Sequence, residues 1–371
     1  MGMKCIRCYT DNNLSDRNLN RGLCKNCRHP FVFEPAIMEG VKLTDQFFAN
    51  AIQYVSADNS LYFTPKQLFY LLRKRLYKTP KLNQFSAGVI FGLFILLYIE
   101  IVFFKENLGY FVYSLFVIGV TLNLIYRILK FGNSRIDALN EEQLQEWLNA
   151  WLQVNDIPKL LSFASEEPSL TPVNSDISAY SFDRAIICDT DAIAQFLIAN
   201  NFHFENNCAV LSITGYPQSI FDTVMQMLRR NPELKVYAIH DANPSGVSLV
   251  HRLRTSPNWF ANSNVIIYEL GLLPRQISSN RNLFVQISKE SAQQAKQLPA
   301  PVRESLSPNE LKWLEEGKYL ALESFSPRRI IRILNQGIIR SQEPNLNNSL
   351  VEIDEGGHGS GGYAYTLESF G

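Results

Sequence analysis

Apolar and polar positions are spread very unevenly along the chain. Phe85 to Phe104 carries one charge, Glu100, and Tyr110 to Tyr126 carries none, with KENLG between them. A hydrocarbon core of ~30 Å needs ~20 apolar residues per helix. The first run meets that length. The second meets it once Ile128, Leu129 and Phe131 join and Arg127 and Lys130 extend their charged ends to the interface. The pattern predicts a two-helix transmembrane hairpin over 85–131 with a short outer turn. The run starts too far into the chain, and is too long, for a signal peptide. Arg73, Lys74, Arg75, Lys78 and Lys81 precede it, Arg127, Lys130 and Arg135 follow it, and the turn holds only Lys105. That bias puts both flanks, and both termini, on the cytoplasmic face of the inner (plasma) membrane. Glu100 then lies near the outer head groups.

Elsewhere the periodicity changes. Residues 42–82 predict two helices broken at SADNS, the second opened by Thr64 as N-cap and Pro65 at the first helical position. Such a pair also suits a winged helix-turn-helix. A helix and a Pro/Ser-rich linker fill 136–180. From 181 to 342 short apolar runs alternate with helical stretches. Strands are expected at Ala185–Cys188, Cys208–Ile213, Val236–Ile239 and Val265–Tyr268. Helices are expected at Asp191–Asn200, Gln218–Arg230 and Ser245–Arg254. This order predicts an α/β domain with a mainly parallel sheet. Residues 343–371 form a Gly-rich tail without periodicity.

Charge and hydropathy add little until they are divided by region. Lys+Arg and Asp+Glu are 35 each, which excludes a chain that coats nucleic acid by bulk charge. The mean hydropathy of −0.08 averages the apolar hairpin with a polar remainder. Arg229, Arg230, Arg252 and Arg254 are candidates for a local basic groove.

Four of the six cysteines fall in the first 27 residues as two C-x2-C pairs, Cys5 with Cys8 and Cys24 with Cys27. Each pair offers two thiolates from a tight turn, and the fifteen-residue gap admits a short hairpin. Four thiolates around tetrahedral zinc are the expected structural site, so 1–35 reads as a zinc ribbon. Cys188 and Cys208 stand alone among apolar residues and read as core thiols.

Three polar clusters follow the expected strands: Asp189-Thr190-Asp191, Gly215-Tyr216-Pro217, and His240 through Gly246. The carboxyl ends of parallel strands are where such sheets place their sites. The fragments IICDTDAIAQFL, SITGYPQ, VYAIHDANPSG and YELGLLPRQ, in that order over 183–275, resemble the Toprim domain of topoisomerase VI A subunits and meiotic double-strand-break transesterases. A fainter likeness continues over 306–334. The resemblance implies a Rossmannoid fold and an acidic cluster holding Mg²⁺, which neutralises charge on a phosphodiester.

Carried across, the family's first acid falls on Asp189, where Glu is usual. The D-x-D pair falls on Asp241 and Asn243, so the second carboxylate is replaced by an amide. Thr190 and Thr214 stand where the family has Lys, and Gln218 where it has Asp. Asp191 is a candidate to restore the lost charge. The family's nucleophilic tyrosine, in T-x-R-D-x-Y-Y, falls on Tyr70, with Lys66 at the Arg position. Other readings stand beside these: Asp189 and Asp241 as helix caps, Tyr70 as a packing residue, and His240 as a hydrogen-bonded structural residue.

The chain thus reads as multidomain: zinc ribbon, α-helical membrane hairpin and Toprim-like α/β domain. The leading functional expectation is a membrane-anchored protein with structural zinc and bound Mg²⁺. It takes a phosphate-bearing ligand, DNA or nucleotide, with reduced catalysis. The alternatives are a non-enzymatic adaptor on the cytoplasmic face and an active tyrosine-dependent DNA-cleaving enzyme. A protein partner or a second copy of the chain is expected in either case.

Overall fold

The computed structural model describes residues 2–38, 41–76, 119, 139–161, 182–231, 233–261, 263–278 and 283–341. The expected hairpin at 85–131, apart from Gly119, and the tail at 343–371 lie outside these residues. Among the described residues no helix is long and apolar enough to cross a membrane. The chain divides into two compact units, one of 1–49 with 72–156 and one of 50–71 with 157–371.

The first unit opens with strands β1 (Met3–Lys4) and β2 (Asp11–Asn12), paired antiparallel, and helix α1 (Leu14–Leu19). Asn13 caps α1, and the Asp16 side chain returns the bond to the Asn13 N–H, so two orphan donors are satisfied at once. Arg17 is buried and pairs with Glu34 at 2.6 Å. A small aromatic core follows. Phe33 packs on Phe48 (5.2 Å) and stacks on Trp151 (5.9 Å), which comes from the helix Glu141–Leu152. The Asp45 carboxylate accepts the N–H groups of Val32 and Phe33, which fixes the chain entering that core. Two helices run across the division between the units: α2 (Asp45–Val55) and α3 (Pro65–Leu76). Both were expected from the sequence, as was the helix at 141–152, here α4.

The second unit holds a four-stranded, wholly parallel sheet. Its strands are β3 (Arg184–Cys188), β4 (Cys208–Ser212), β5 (Lys235–Ile239) and β6 (Ile267–Glu269), in spatial order β4-β3-β5-β6. Both faces are covered, and the period of two decides which residue goes where. Ile186, Cys188, Val210, Tyr237 and Ile239 face one core, with α5 (Asp191–Ala199) and, near the end of the described chain, the helix Pro327–Arg340. Ala185, Ile187, Leu211, Val236 and Ala238 face the other, with the helix Gln218–Arg230. Cys188 and Cys208 are buried, as core thiols should be.

Two elements depart from the expected pattern. The fourth strand begins at Ile267, two residues later than expected, and the Val265 N–H bonds the Ser263 hydroxyl at 3.3 Å instead of a neighbouring strand. The expected helix Ser245–Arg254 is two helices, Pro244–Val247 and Leu249–Thr255. They part at Ser248, whose hydroxyl donates to the Pro244 carbonyl at 2.7 Å and competes with the helical ladder.

A third, smaller layer follows. Strands Gln286–Ile287 and Lys318–Tyr319 pair antiparallel, and the helices Lys289–Lys296, Ala300–Ser305 and Pro308–Glu315 build a core of their own with Leu298, Val302 and Leu314. Beyond it an isolated antiparallel bridge joins Ala242 to Leu320, so the chain after 319 lies against the loop that leaves β5.

Candidate functional site

The four N-terminal cysteines come together as expected. Their sulfurs all lie within 4.8 Å of one another, with Cys5 to Cys27 and Cys8 to Cys24 both at 3.6 Å. A tetrahedron with metal–sulfur arms of ~2.3 Å has edges of ~3.8 Å, so the spacing fits one zinc ion. Each C-x2-C pair is the same knuckle. The Tyr9 N–H bonds the Cys5 carbonyl and the Arg28 N–H bonds the Cys24 carbonyl, at 2.9 and 3.0 Å. Tyr9 and Arg28 both adopt φ of 59°, the left-handed turn that brings the second thiol beside the first. The Asn12 amide donates to Cys24 Sγ at 3.5 Å, a donor of the kind that orients a metal ligand.

The carboxylates gather at the carboxyl ends of β3 and β5, which are adjacent in the sheet. Asp189 leaves β3 with its N–H on the Ile239 carbonyl, and its Oδ2 accepts the Asp241 N–H at 2.9 Å. Asp241 Oδ1 accepts the Leu322 N–H at 2.8 Å. Neither acid caps a helix. Thr190 caps α5 and Asn243 caps the helix Pro244–Val247, so the capping alternative is set aside. Asp189 Oδ1 is buried and has no hydrogen-bond partner. Burial pushes the Asp189 carboxyl up. Burial, and then the neighbouring Asp189 charge, push Asp241 up much further, while Lys66 draws it partway back. Two half-buried carboxylates, one with a buried oxygen that has no partner, suit a hard divalent cation, which Mg²⁺ would satisfy with oxygen ligands and its own waters.

Asn243 is at the rim of this pair, but its Oδ1 accepts the Gly246 N–H at 2.6 Å. Its carbonyl therefore already serves the helix. Asp191 faces the end of β4, where its Oδ1 accepts from Ser212 (2.5 Å) and Thr214 (2.6 Å). Tyr70 is buried, and its hydroxyl accepts from Gln286 at 2.7 Å. Burial first, then Tyr319, Asp241 and Glu323, hold that phenol in its neutral form. So the fold brings Tyr70 into the electrostatic neighbourhood of the acids, although it stands 171 residues before Asp241 in the chain. Among the arginines, Arg229 and Arg230 end the helix Gln218–Arg230, which leads back to the start of β5, away from the acids. Arg252 acts on Asp189.

Two of three further groups were not picked out from sequence, and the other, His240, was read as a hydrogen-bonded structural residue. His240 is fully buried below the pair, with Nδ1 on the Asp241 carbonyl (2.8 Å) and Nε2 on Glu269 (3.2 Å). Both partners can accept, so a protonated imidazole would donate to each. Burial alone would lower the imidazole, but the Glu269 bond and the surrounding acids hold it above its ordinary value. Gly271 makes room for it, since a Cβ there would stand 2.2 Å from the ring. Glu269 ends β6 within YELGLLPRQ, so its place after a strand was the available signal. The third is Glu323, buried beside Asp241, with no motif in the sequence to mark it.

A comparison with protein families gives one match. Residues 184–319 match the Toprim domain of topoisomerase 6 A subunits and Spo11. The match runs from the first residue of β3 to Tyr319. The Toprim region therefore contains Asp189, Asp241, Asn243 and Glu269, and stops short of Glu323. No curated protein matches the chain.

Proposed function

We propose that this protein binds a phosphate-bearing ligand, DNA foremost, through Mg²⁺ held by Asp189 and Asp241, without an effective strand-cleaving step. One observation carries the reading: two half-buried carboxylates meet at adjacent strand ends of a Toprim domain, and one keeps a buried oxygen without a partner. When bound, Mg²⁺ would neutralise charge on a phosphodiester. The chain's own residues do the rest. The Leu322 N–H aims Asp241, and His240, bonded to the Asp241 carbonyl and to Glu269, supports the loop beneath it. The buried, neutral Tyr70 and the capping role of Asn243 support reduced catalysis.

The apolar run 85–131 and its basic flanks support an anchor in the inner (plasma) membrane with the Toprim domain on the cytoplasmic side. The four-thiolate cluster would hold zinc as a staple, since four protein ligands leave no position for substrate. A protein partner, or a second copy of the chain, would supply what the site lacks.

The full chain in detergent tests this. Fluorescence anisotropy of a labelled DNA duplex should rise with wild type in Mg²⁺ and stay flat with Asp241→Ala. Equal absence of binding in both would overturn the reading. No covalent protein–DNA adduct is expected, and an adduct lost in Tyr70→Phe would replace it with a cleaving enzyme. A stable co-purifying partner unaffected by Asp241→Ala would favour the adaptor.

A further inference from the structure

With the Asn243 carbonyl on a helix N-terminus, the proposed cation site has only two carboxylates, and a neighbouring element offers a third. The Ala242–Leu320 bridge, with N–H to carbonyl distances of 3.0 and 3.1 Å, stitches residues 320–323 to the loop after β5. The Leu322 N–H on Asp241 Oδ1 tightens the same seam. The next side chain is Glu323, in the 3-10 turn Leu322–Ser324, only 7% exposed. Its charge adds to that of Asp189 in its effect on Asp241. A buried third carboxylate next to two half-buried ones is unfavourable unless protons or cations offset it.

Glu323 is also held in a set orientation. Thr64 donates its hydroxyl to Glu323 Oε1 at 2.5 Å. Thr64 is itself fixed at the head of α3 by reciprocal bonds with Gln67, at 2.9 and 3.2 Å. Metal-ligating carboxylates are oriented by such outer donors. The orphaned, buried Asp189 Oδ1 is the independent sign that a group belongs among these acids.

We infer that Glu323 is the third carboxylate ligand of the cation held by Asp189 and Asp241, in place of the acid that Asn243 does not supply. The ligand set then comes from β3, β5 and a turn beyond the Toprim match. This rests on the cation site proposed above.

The experiment is a Mn²⁺ titration of the full chain in detergent, read by the paramagnetic resonance of unbound Mn²⁺, with Mg²⁺ as competitor. Wild type should bind Mn²⁺ and release it to Mg²⁺. Glu323→Gln, isosteric and still able to accept from Thr64, should weaken binding by ~10-fold or more, and Glu323→Asp should fall between. Thermal melts check that each variant folds. If Glu323→Gln does not fold, Glu323→Asp decides, and wild-type affinity in it would overturn the inference. Wild-type affinity in Glu323→Gln, with binding lost in Asp241→Asn, would overturn the role of Glu323 and leave the two-acid site standing. No Mn²⁺ bound by wild type would overturn both.

Discussion

The thiolate cluster and the proposed carboxylate group are two candidate cation sites built over opposite ranges of the chain. The thiolates come from two knuckles within 27 residues, each closed by its own backbone bond and a left-handed residue. The carboxylates come from the ends of β3 and β5 and from a turn at 322–324, and Asp189 and Glu323 stand 134 positions apart. A site of the first kind depends on its metal more than on the fold around it. A site of the second kind depends on the sheet, and its metal-free form carries repulsion that the fold must absorb.

The sharpest way to break this comparison is at the thiolates. Cys24→Ser should remove zinc, expected at one ion per chain by elemental analysis. It should also expose residues 2–38 to limited proteolysis, because structural zinc contributes on the order of 10 kcal/mol to such small folds. The carboxylate region should stay protected.

Next comes the acid pair under pH. Burial holds Asp189 and Asp241 above the ordinary carboxylate range, and the Asp189 charge raises Asp241 further. Without divalent cation the folded state keeps protons that the unfolded chain releases above about pH 4. That stability is complete below pH 4 and is lost as pH rises through the raised folded values. The melting temperature in Mg²⁺-free buffer should fall over that rise, and His240 adds a fall of the same sign at higher pH. Asp241→Asn should flatten the carboxylate part, and Mg²⁺ should restore wild type. A rising melting temperature over the same range would contradict the pair's geometry.

Gly271→Ala probes how closely the sheet packs against the site. The added methyl would stand 2.2 Å from His240 Cδ2, and the imidazole is fully buried with no way to retreat. A loss of about 1–3 kcal/mol in urea unfolding is expected, together with loss of Mn²⁺ affinity as the Asp241 loop shifts.

The smallest effect separates a cap from a ligand. Asn243→Ala should cost about 1 kcal/mol in stability and leave Mn²⁺ affinity at the wild-type value. A large loss of affinity at unchanged stability would return Asn243 to the ligand set.

Much of the fold was legible because local rules and tertiary demand agree. Helix Gln218–Arg230 falls at its expected limits, and Thr64 caps α3 with Pro65 at the first helical position. The strands were marked by apolar runs that the two covered faces require. The failures have local causes. Ser248 takes a carbonyl from the ladder, and Val265 was read as strand because an apolar run does not reveal that its N–H is taken by the Ser263 hydroxyl. At the site, Asp189 and Asp241 were found by motif. His240 was read as structural, but its Glu269 partner is not encoded near it. Glu323 sits in a segment of only faint likeness, and the Ala242–Leu320 bridge and the Leu322 N–H bond bring that segment to Asp241.

By itself the sequence determined whatever spacing alone can carry. It placed four thiols for one ion, alternating apolar residues for a parallel sheet, and an apolar run of membrane length. These depend on short-range geometry and on solvent, which a chain carries wherever it folds. The tertiary structure decided which polar groups meet. It gave the caps to Thr190 and Asn243, buried Tyr70 in its neutral form, and set Glu323 beside Asp241. Those outcomes depend on contacts closed across long loops, whose register is fixed only when the sheet and its covering layers pack together.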